Sequence, residues 1–227
     1  MWLCASRGRP ERLMEMCKSW EATVTKPSKL IIRLDEDDPD LRDYFNKLWP
    51  ENWHFYVETP LRGAAQSHAW AFEKFPNEPF YGALGDDIIL HTPGWNKTLE
   101  AEAGAWHLAY PDDGFQHGKL ATHPCVGGDL LRALDYWAIP GLCHYYVDTT
   151  LHVIAAHLKL LRYCPHVSFE HMHPINGKAP DDATYQRSAR HYEHDSVIFH
   201  SWLHNQAKHD ITKARRIMEK AKNGPLF

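Results

Sequence analysis

Asp86 and Asp87 stand side by side between two apolar runs, Phe80-Tyr81-Gly82-Ala83-Leu84 and Ile88-Ile89-Leu90. Unpaired aspartates are costly inside a core, so the stretch 80–90 reads as a buried strand that presents charge to a cleft. Two carboxylates at such a rim suit Mg2+ or Mn2+ carrying a diphosphate, because both ions prefer hard oxygen ligands. A second acid, Asp35, ends the apolar run Leu30-Ile31-Ile32-Arg33-Leu34 and opens the cluster Asp35-Glu36-Asp37-Asp38. Asp37 and Asp38 are expected to face solvent. Further along, His166 to Pro174 alternates as a strand does, which points His171 and His173 to one side.

The surrounding pattern supplies elements to hold these groups. A strand at the first residues is followed by the polar turn Ser6-Arg7-Gly8-Arg9-Pro10 and a helix to about Glu21, with Leu13, Met16, Cys17 and Trp20 at helical spacing. The second strand, Leu30 to Leu34, precedes a helix over Asp40 to Leu48. A third strand lies near His54-Phe55-Tyr56-Val57, and the turn Pro60-Leu61-Arg62-Gly63 leads into a helix through Phe75. The N-terminal amides of that helix, together with Arg62, favour an anion. Strands alternating with helices over the first ninety residues predict an α/β fold with a mostly parallel sheet, whose carboxyl-end rim is where ligands bind. Beyond it the pattern predicts a short helix after Trp95, a loop from Pro111 to Gly118 and a short strand at Leu120-Ala121-Thr122. It then predicts helices over Asp129 to Leu134 and from Tyr145 to about Lys159. Asp148 falls at the N-cap or first turn of the second. The last stretch, Asp181 to Lys222, predicts two helices, the second carrying a basic solvated face.

Composition narrows the function classes. The chain has 227 residues, 44% of them hydrophobic, and a formal net charge of −4 with its 17 histidines neutral. The absence of a basic excess argues against general nucleic-acid binding. Protonation of the histidines adds positive charge below about pH 6.5. No apolar run approaches a membrane span, and Arg7 and Arg9 follow the first apolar residues where a signal peptide would continue. Five cysteines without Cys-x-x-Cys spacing predict reduced thiols in a cytoplasmic protein.

The order of these features resembles a GT-A glycosyltransferase, in particular the family 2-like nucleotide-sugar enzymes, over roughly residues 1–175. Ser6-Arg7-Gly8-Arg9-Pro10 resembles the first-strand loop that meets the nucleotide. Asp35 stands in the place of the acid that contacts base or ribose, and Arg62-Gly63 resembles the segment that approaches the ribose-diphosphate. Gly85-Asp86-Asp87 stands where the family carries Asp-x-Asp, with glycine at the first position. Tyr146-Val147-Asp148-Thr149 resembles the segment of the catalytic base, although the family usually shows Glu-Asp there. His171-Met172-His173-Pro174 resembles the late His segment that completes a metal shell in some members.

The resemblance implies a GT-A-like (Rossmann-like) catalytic domain over 1–175, with a helical extension, 176–227, packed on it. It implies a metal-dependent transferase using a nucleotide-sugar donor, expected to be a UDP-sugar, with inversion at the sugar carbon. Under it, Ser6, Arg7, Arg9, Asp35, Arg62, Gly63 and Asp86 bind the nucleotide sugar. Asp87, His171 and His173 hold Mn2+ or Mg2+, Asp148 is the catalytic base, and Trp95 stacks on the acceptor. Which of Asp86 and Asp87 meets the metal stays open, as does the acceptor: a glycan, a protein, a lipid-linked sugar or a hydroxylated DNA base. The alternatives are a metal-dependent phosphoesterase or nuclease, and a catalytically silent nucleotide-sugar or glycan-binding module.

Overall fold

The structure, a computed structural model, describes residues 1–47, 49–50 and 53–223. Within them the chain runs β1 (Trp2–Ala5), α1 (Pro10–Thr23), β2 (Leu30–Asp35), α2 (Leu41–Phe45), β3 (Trp53–Glu58), α3 (Ala64–Lys74) and β4 (Phe80–Leu84). It continues with β5 (Ile88–Leu90), α4 (Trp95–Ala103), β6 (Leu108–Asp112), β7 (Cys125–Gly127), α5 (Gly128–Leu134), α6 (Val147–Leu158) and β8 (Leu161–His171). Three helices end it: α7 (Ala183–Ala189), α8 (Tyr192–Asn205) and α9 (Ala207–Asn223). The eight described strands form one sheet in the order β3-β2-β1-β4-β7-β6-β8-β5.

The first half of the sheet is parallel, as the strand-helix alternation predicts. Register pairs Cys4 of β1 with Ile32 of β2 and with Leu84 of β4, so these strands finish level with one another. That alignment carries Ser6, Asp35 and Asp86 to a common rim. The other half is mixed: β7 runs antiparallel to β4 and β6, β8 parallel to β6, and β5 antiparallel to β8.

Alternation along β1 divides the core between the two faces of the sheet. Trp2 and Cys4 join one cluster, with Leu13, Trp20, Trp95 and Phe169; Met1 and Leu3 join the other, with Ile31, Tyr81, Leu131 and Ile154. In the first cluster Trp95 lies edge-on to Trp2 and Trp20, with centroids 4.7 and 5.2 Å apart. Large side chains buried this fully stabilise the fold by about 1.5–3 kcal/mol each. Gly82 makes the close approach of β1 and β4 feasible, because a Cβ there would sit 2.1 Å from the Trp2 ring. The C-terminal helices add Phe199, Trp202, Ile211, Ala214 and Met218 to the second cluster, against α5 and α6.

Several elements differ from expectation. The stretch 80–90 is two strands, because Gly85-Asp86-Asp87 turns the chain away from β1 and delivers β5 to the far edge beside β8. Pro111 and Asp112 were expected in a loop but close β6, where the ladder to β8 is irregular between them and a proline is tolerated. The short strand falls at Cys125–Gly127 instead of 120–122. The helix expected over Asp40 to Leu48 spans Leu41–Phe45, and Leu48 lies outside the described residues. The C-terminal stretch makes three helices, not two.

Candidate active site

At the carboxyl end of β4 the two aspartates part company. Asp86 turns toward the loop after β1: its carboxylate accepts hydrogen bonds from Ser6 Oγ at 2.6 Å and Arg9 Nη1 at 3.1 Å. Tyr44 of α2 fixes that loop, its hydroxyl lying 2.7 Å from Ser6 Oγ and accepting from the Arg9 amide at 3.0 Å. Asp87 turns the other way, toward the end of β8. Its Oδ2 lies 3.5 Å from His171 Nε2 and 3.9 Å from Arg9 Nη1, and it accepts from the Tyr185 hydroxyl at 2.7 Å. The Met172 amide donates to the Asp87 carbonyl at 2.7 Å, which ties the turn to the β8 end.

Charge and burial separate the pair further. Burial pushes the Asp86 carboxyl above the usual range, with the neighbouring Asp87 charge adding to it and Arg9 opposing. Burial would raise Asp87 too, but hydrogen bonding and charge from His171, the Tyr185 hydroxyl and nearby His123 hold it below that range. Burial would lower His171, but the contact with Asp87 raises it. An acid at the position before the pair would displace the Asp87 carboxylate from where it sits: a Cβ on Gly85 would lie 2.3 Å from Asp87 Oδ1.

His123 completes this corner. Its ring centroid is 5.0 Å from that of His171, its backbone has φ of 48°, and its buried Nε2 has no hydrogen-bond partner among the described residues. An orphaned imidazole nitrogen beside a carboxylate and a second imidazole is the donor set a divalent cation accepts, with a tilt toward Mn2+ for the nitrogen ligands. Asp87 and His171 fit such an ion. His173, expected as a third ligand, is not brought to Asp87 in the same way. It lies just past β8, where its Nδ1 accepts from the Ile175 amide at 3.2 Å and its ring packs on Tyr185 at 4.5 Å.

Among the described residues, the trio of metal-type side-chain atoms gathered within 4.8 Å is elsewhere, at Cys143, His194 and Asp195. Its arrangement is that of a staple. Asp195, fully buried on α8, accepts from the amides of Cys143, His144 and Tyr145 at 2.9, 2.7 and 2.8 Å and from His194 Nδ1 at 2.9 Å. The stapled loop closes on α3, where His144 Nδ1 accepts from the Ala64 amide at 3.2 Å. This corrects the expectation of an open anion site at the start of α3. His144 occupies one amide, the Cys143 carbonyl accepts from the Gln66 amide at 3.4 Å, and a Cβ on Gly63 would lie 2.7 Å from His144 Nδ1. Arg62 is exposed, its amide donating to Gln66 Oε1 at 2.9 Å.

Asp35 ends β2 at the rim, but enclosed. Oδ1 accepts from Arg33 Nη1 at 2.5 Å and the Leu61 amide at 3.1 Å, while Oδ2 accepts from Arg7 Nη1 at 2.9 Å. Arg7 also pairs with exposed Asp37. Asp38 is not solvent-facing: it is buried and accepts from the amides of Gly8 and Asp40, both at 2.9 Å, fixing the β1 loop.

Asp148 lies in the first turn of α6, whose N-cap position is Tyr146, and among the described residues its carboxylate bonds only its neighbour Thr149, through the amide at 2.7 Å and the hydroxyl at 3.3 Å. Burial raises its carboxyl above the ordinary value against those bonds, and its charge reaches His171. Trp95 is a correction. It is fully buried between Trp2, Trp20 and Phe169, its Nε1 donating to Thr23 Oγ1 at 3.1 Å, so no acceptor ring reaches it.

Besides His123, the residues that sequence reading missed come from the C-terminal segment. Asp182 makes a two-pronged ion pair with Arg9, accepting from Nη2 at 2.7 Å and Nε at 2.9 Å. The Tyr185 ring lies under the Arg9 guanidinium, 3.8 Å from Cζ to centroid. Asp182 caps α7 locally, accepting from the amides of Thr184 and Tyr185, but nothing local points either residue to the rim, since Asp182 reaches Arg9 and Tyr185 reaches Asp87 across more than 90 positions.

No protein-family model matches the sequence, and no curated protein is detectably similar to it. Solved structures are similar in fold. GalNAc-T7 with UDP, GalNAc and Mn2+ superposes with a TM-score of 0.61 at 12% identity, over 85% of this chain and 47% of that one. Glucosyl-3-phosphoglycerate synthase from Mycobacterium tuberculosis, in complex with Mn2+, UDP and phosphoglyceric acid, gives 0.56 at 11% identity, over 80% and 79%. S. aureus TarS gives 0.52 at 11%, over 74% of this chain and 35% of that one, so the chain spans about a third of that structure's length. The chain therefore has the GT-A fold of these glycosyltransferases. A putative glucose-1-phosphate thymidylyltransferase from Bacillus anthracis is similar at 0.55 and 8% identity, so the activity must be argued from the site.

Proposed function

We propose that the protein is a metal-dependent glycosyltransferase that moves a sugar from a nucleoside-diphosphate sugar, with UDP as the nucleotide, to a hydroxyl acceptor with inversion. The observation that carries this reading is Asp87 facing His171 at 3.5 Å beside the orphaned His123 Nε2, on the rim formed by β1, β2 and β4. GalNAc-T7 and glucosyl-3-phosphoglycerate synthase, which share the fold, bind UDP with Mn2+, which supports the choice of nucleotide and ion. A divalent cation held by Asp87 and His171 supplies the positive charge that a departing diphosphate requires.

The chain's own residues have separable tasks. Asp86 does not ligate; it holds Ser6 and Arg9 in the loop that meets the diphosphate, and Arg7 and Asp35 border the nucleoside end. Arg62 lies exposed beside Gly63 at the α3 entrance, where it attracts the anionic donor. Asp148 takes the acceptor hydroxyl proton as the new oxygen–carbon bond forms, while the bond from the sugar carbon to the diphosphate breaks with its electron pair going to phosphate oxygen. Its raised pKa suits a general base, and among the described residues no side chain but Thr149 ties its carboxylate down. A phosphoesterase with two metals would require more ligands than Asp87 and His171 gather, and the Asp195 carboxylate of the Cys143 trio is taken up by backbone amides.

The test is calorimetric titration with UDP, GDP, CDP and ADP, each with and without Mn2+, on wild type and Asp87→Ala. The expected result is Mn2+-dependent binding of UDP that Asp87→Ala abolishes; metal-independent binding, or none, refutes the reading. Asp148→Asn should retain UDP binding and lose transfer, whereas full transfer by that variant removes Asp148 from the mechanism.

A further inference from the structure

The short helix α7 lies across every part of the rim assigned to the donor. At the nucleoside end, Arg187 Nη2 donates to the Leu61 carbonyl at 3.1 Å and Nη1 lies 3.9 Å from Asp35 Oδ2. Over the β1 loop, Thr184 Oγ1 donates to the Arg7 carbonyl at 2.8 Å. At the diphosphate end, Asp182 fills the fork of Arg9 at 2.7 and 2.9 Å, with Arg12 Nη2 at 3.8 Å. At the metal end, the Tyr185 hydroxyl donates to Asp87 Oδ2 at 2.7 Å and accepts from Arg12 Nη1 at 3.0 Å.

Two features give this arrangement a direction. First, the chain supplies from α7 what a donor would supply: a carboxylate in the fork of an arginine is the stereochemical equivalent of a phosphate oxygen pair. Asp86, Asp87 and Asp182 lie against Arg9 and Arg12, so the arginines of this corner are already paired with carboxylates without a nucleotide. A diphosphate and Asp182 cannot both fill the Arg9 fork, and a cation on Asp87 competes with the Tyr185 proton. Second, α7 is held almost wholly by polar contacts. Ser188 is its one buried residue, and before it Ile175 is 72% exposed and Gly177 has open space around it. Polar contacts exchange for water or phosphate at small net cost, unlike a docked apolar face. The next helix is anchored independently by Asp195, Phe199 and Trp202.

We propose that α7 is an autoinhibitory latch: Asp182 and Tyr185 occupy the diphosphate and metal positions, and the donor binds only when α7 swings away. The inference rests on the donor-site reading above. A seven-residue helix released from its contacts does not hold its hydrogen bonds in water. Its amides therefore report the latch directly.

The experiment is hydrogen exchange on the full chain, with and without saturating UDP and Mn2+, together with their calorimetric affinity for wild type, Tyr185→Phe and Asp182→Asn. Tyr185→Phe keeps the ring under Arg9 and removes only the hydroxyl, so it guards against a variant that fails to fold. The latch requires the amides of residues 186–190 to exchange at least about tenfold faster when UDP and Mn2+ bind, and both variants to bind UDP about tenfold or more tightly, since a closed state lowers apparent affinity by the open fraction. Slower exchange in this segment on binding, or weaker or unchanged affinity in the variants, overturns the latch and makes α7 part of the donor-binding wall. Absence of UDP binding in wild type and in both variants overturns the donor reading itself, and the latch with it.

Discussion

Asp195→Asn tests the staple that shapes the wall of the site. The change is nearly isosteric, yet it replaces one carboxylate oxygen by an NH2 group. If the Asn oxygen keeps the Cys143 amide, its nitrogen meets the N–H groups of His144 and Tyr145, which now donate to Asp195 Oδ2 at 2.7 and 2.8 Å. Two hydrogen bonds to a charged acceptor, at about 1.5–3 kcal/mol each, give an expected loss of about 3–6 kcal/mol. For a chain of this size each kcal/mol is worth about 2–4 °C, so Tm should fall by at least about 6 °C at pH 7. The sign with pH is fixed. Burial opposes it, but the hydrogen bonds hold the Asp195 pKa below the ordinary value, so its contribution is present above about pH 3.9 and is lost as pH falls through the native pKa. The gap between wild type and variant in urea denaturation should therefore narrow as pH falls below about 3.9. A loss under about 1 kcal/mol at pH 7 would refute the reasoning. So would an equal loss on adding a chelator to wild type, because the trio would then be a metal centre.

Gly85→Ala places a Cβ 2.3 Å from Asp87 Oδ1, so Mn2+-dependent UDP binding should weaken at least about tenfold, with the far-UV spectrum unchanged; unaltered calorimetric affinity would show that Asp87 need not sit where it does. Trp95→Phe should lower Tm through lost packing and lost bonding to Thr23 while leaving the acceptor KM unchanged, and a raised KM would reinstate an acceptor role. Burial pushes His68 and His144 down to about 4, so the native state refuses protons that the unfolded chain takes up below about pH 6.5. Stability should fall as pH drops from 6.5 toward 4, by about 1 kcal/mol per group over the first unit, and His68→Gln should remove one such share from the urea-derived slope. An unchanged slope in that variant would contradict the buried neutral ring.

What could be read without coordinates was whatever depends on neighbours in the chain. The parallel half of the sheet follows from apolar runs alternating with helical spacing. Asp35 and Asp86-Asp87 reach the rim because each ends such a run, and the parallel register of β1 with β2 and β4 brings the ends level. Asp148 at the head of α6 was legible for the same reason. Composition likewise predicted no membrane-crossing segment, and no described helix is long and apolar enough to be one.

Tertiary structure decided which of these groups face one another. Nothing local distinguishes Asp86 from Asp87; their separation comes from Arg9 on one side and His171, 84 positions later, on the other. Trp95 follows a Pro-Gly turn as an exposed aromatic would, yet it is buried because Trp2, Trp20 and Phe169 leave a space of its shape. The start of α3 carries the amides of an anion site, and a histidine held by an aspartate of α8 closes it. Asp182 and Tyr185 sit in a polar stretch with no periodicity, and their positions over Arg9 and Asp87 are set by where β8 ends and α8 docks. Backbone preference and hydrophobic period act over a few residues, so sequence encodes elements and their ends. Ion pairs and ring contacts act across space, so the partners in this site exist only once the sheet has assembled.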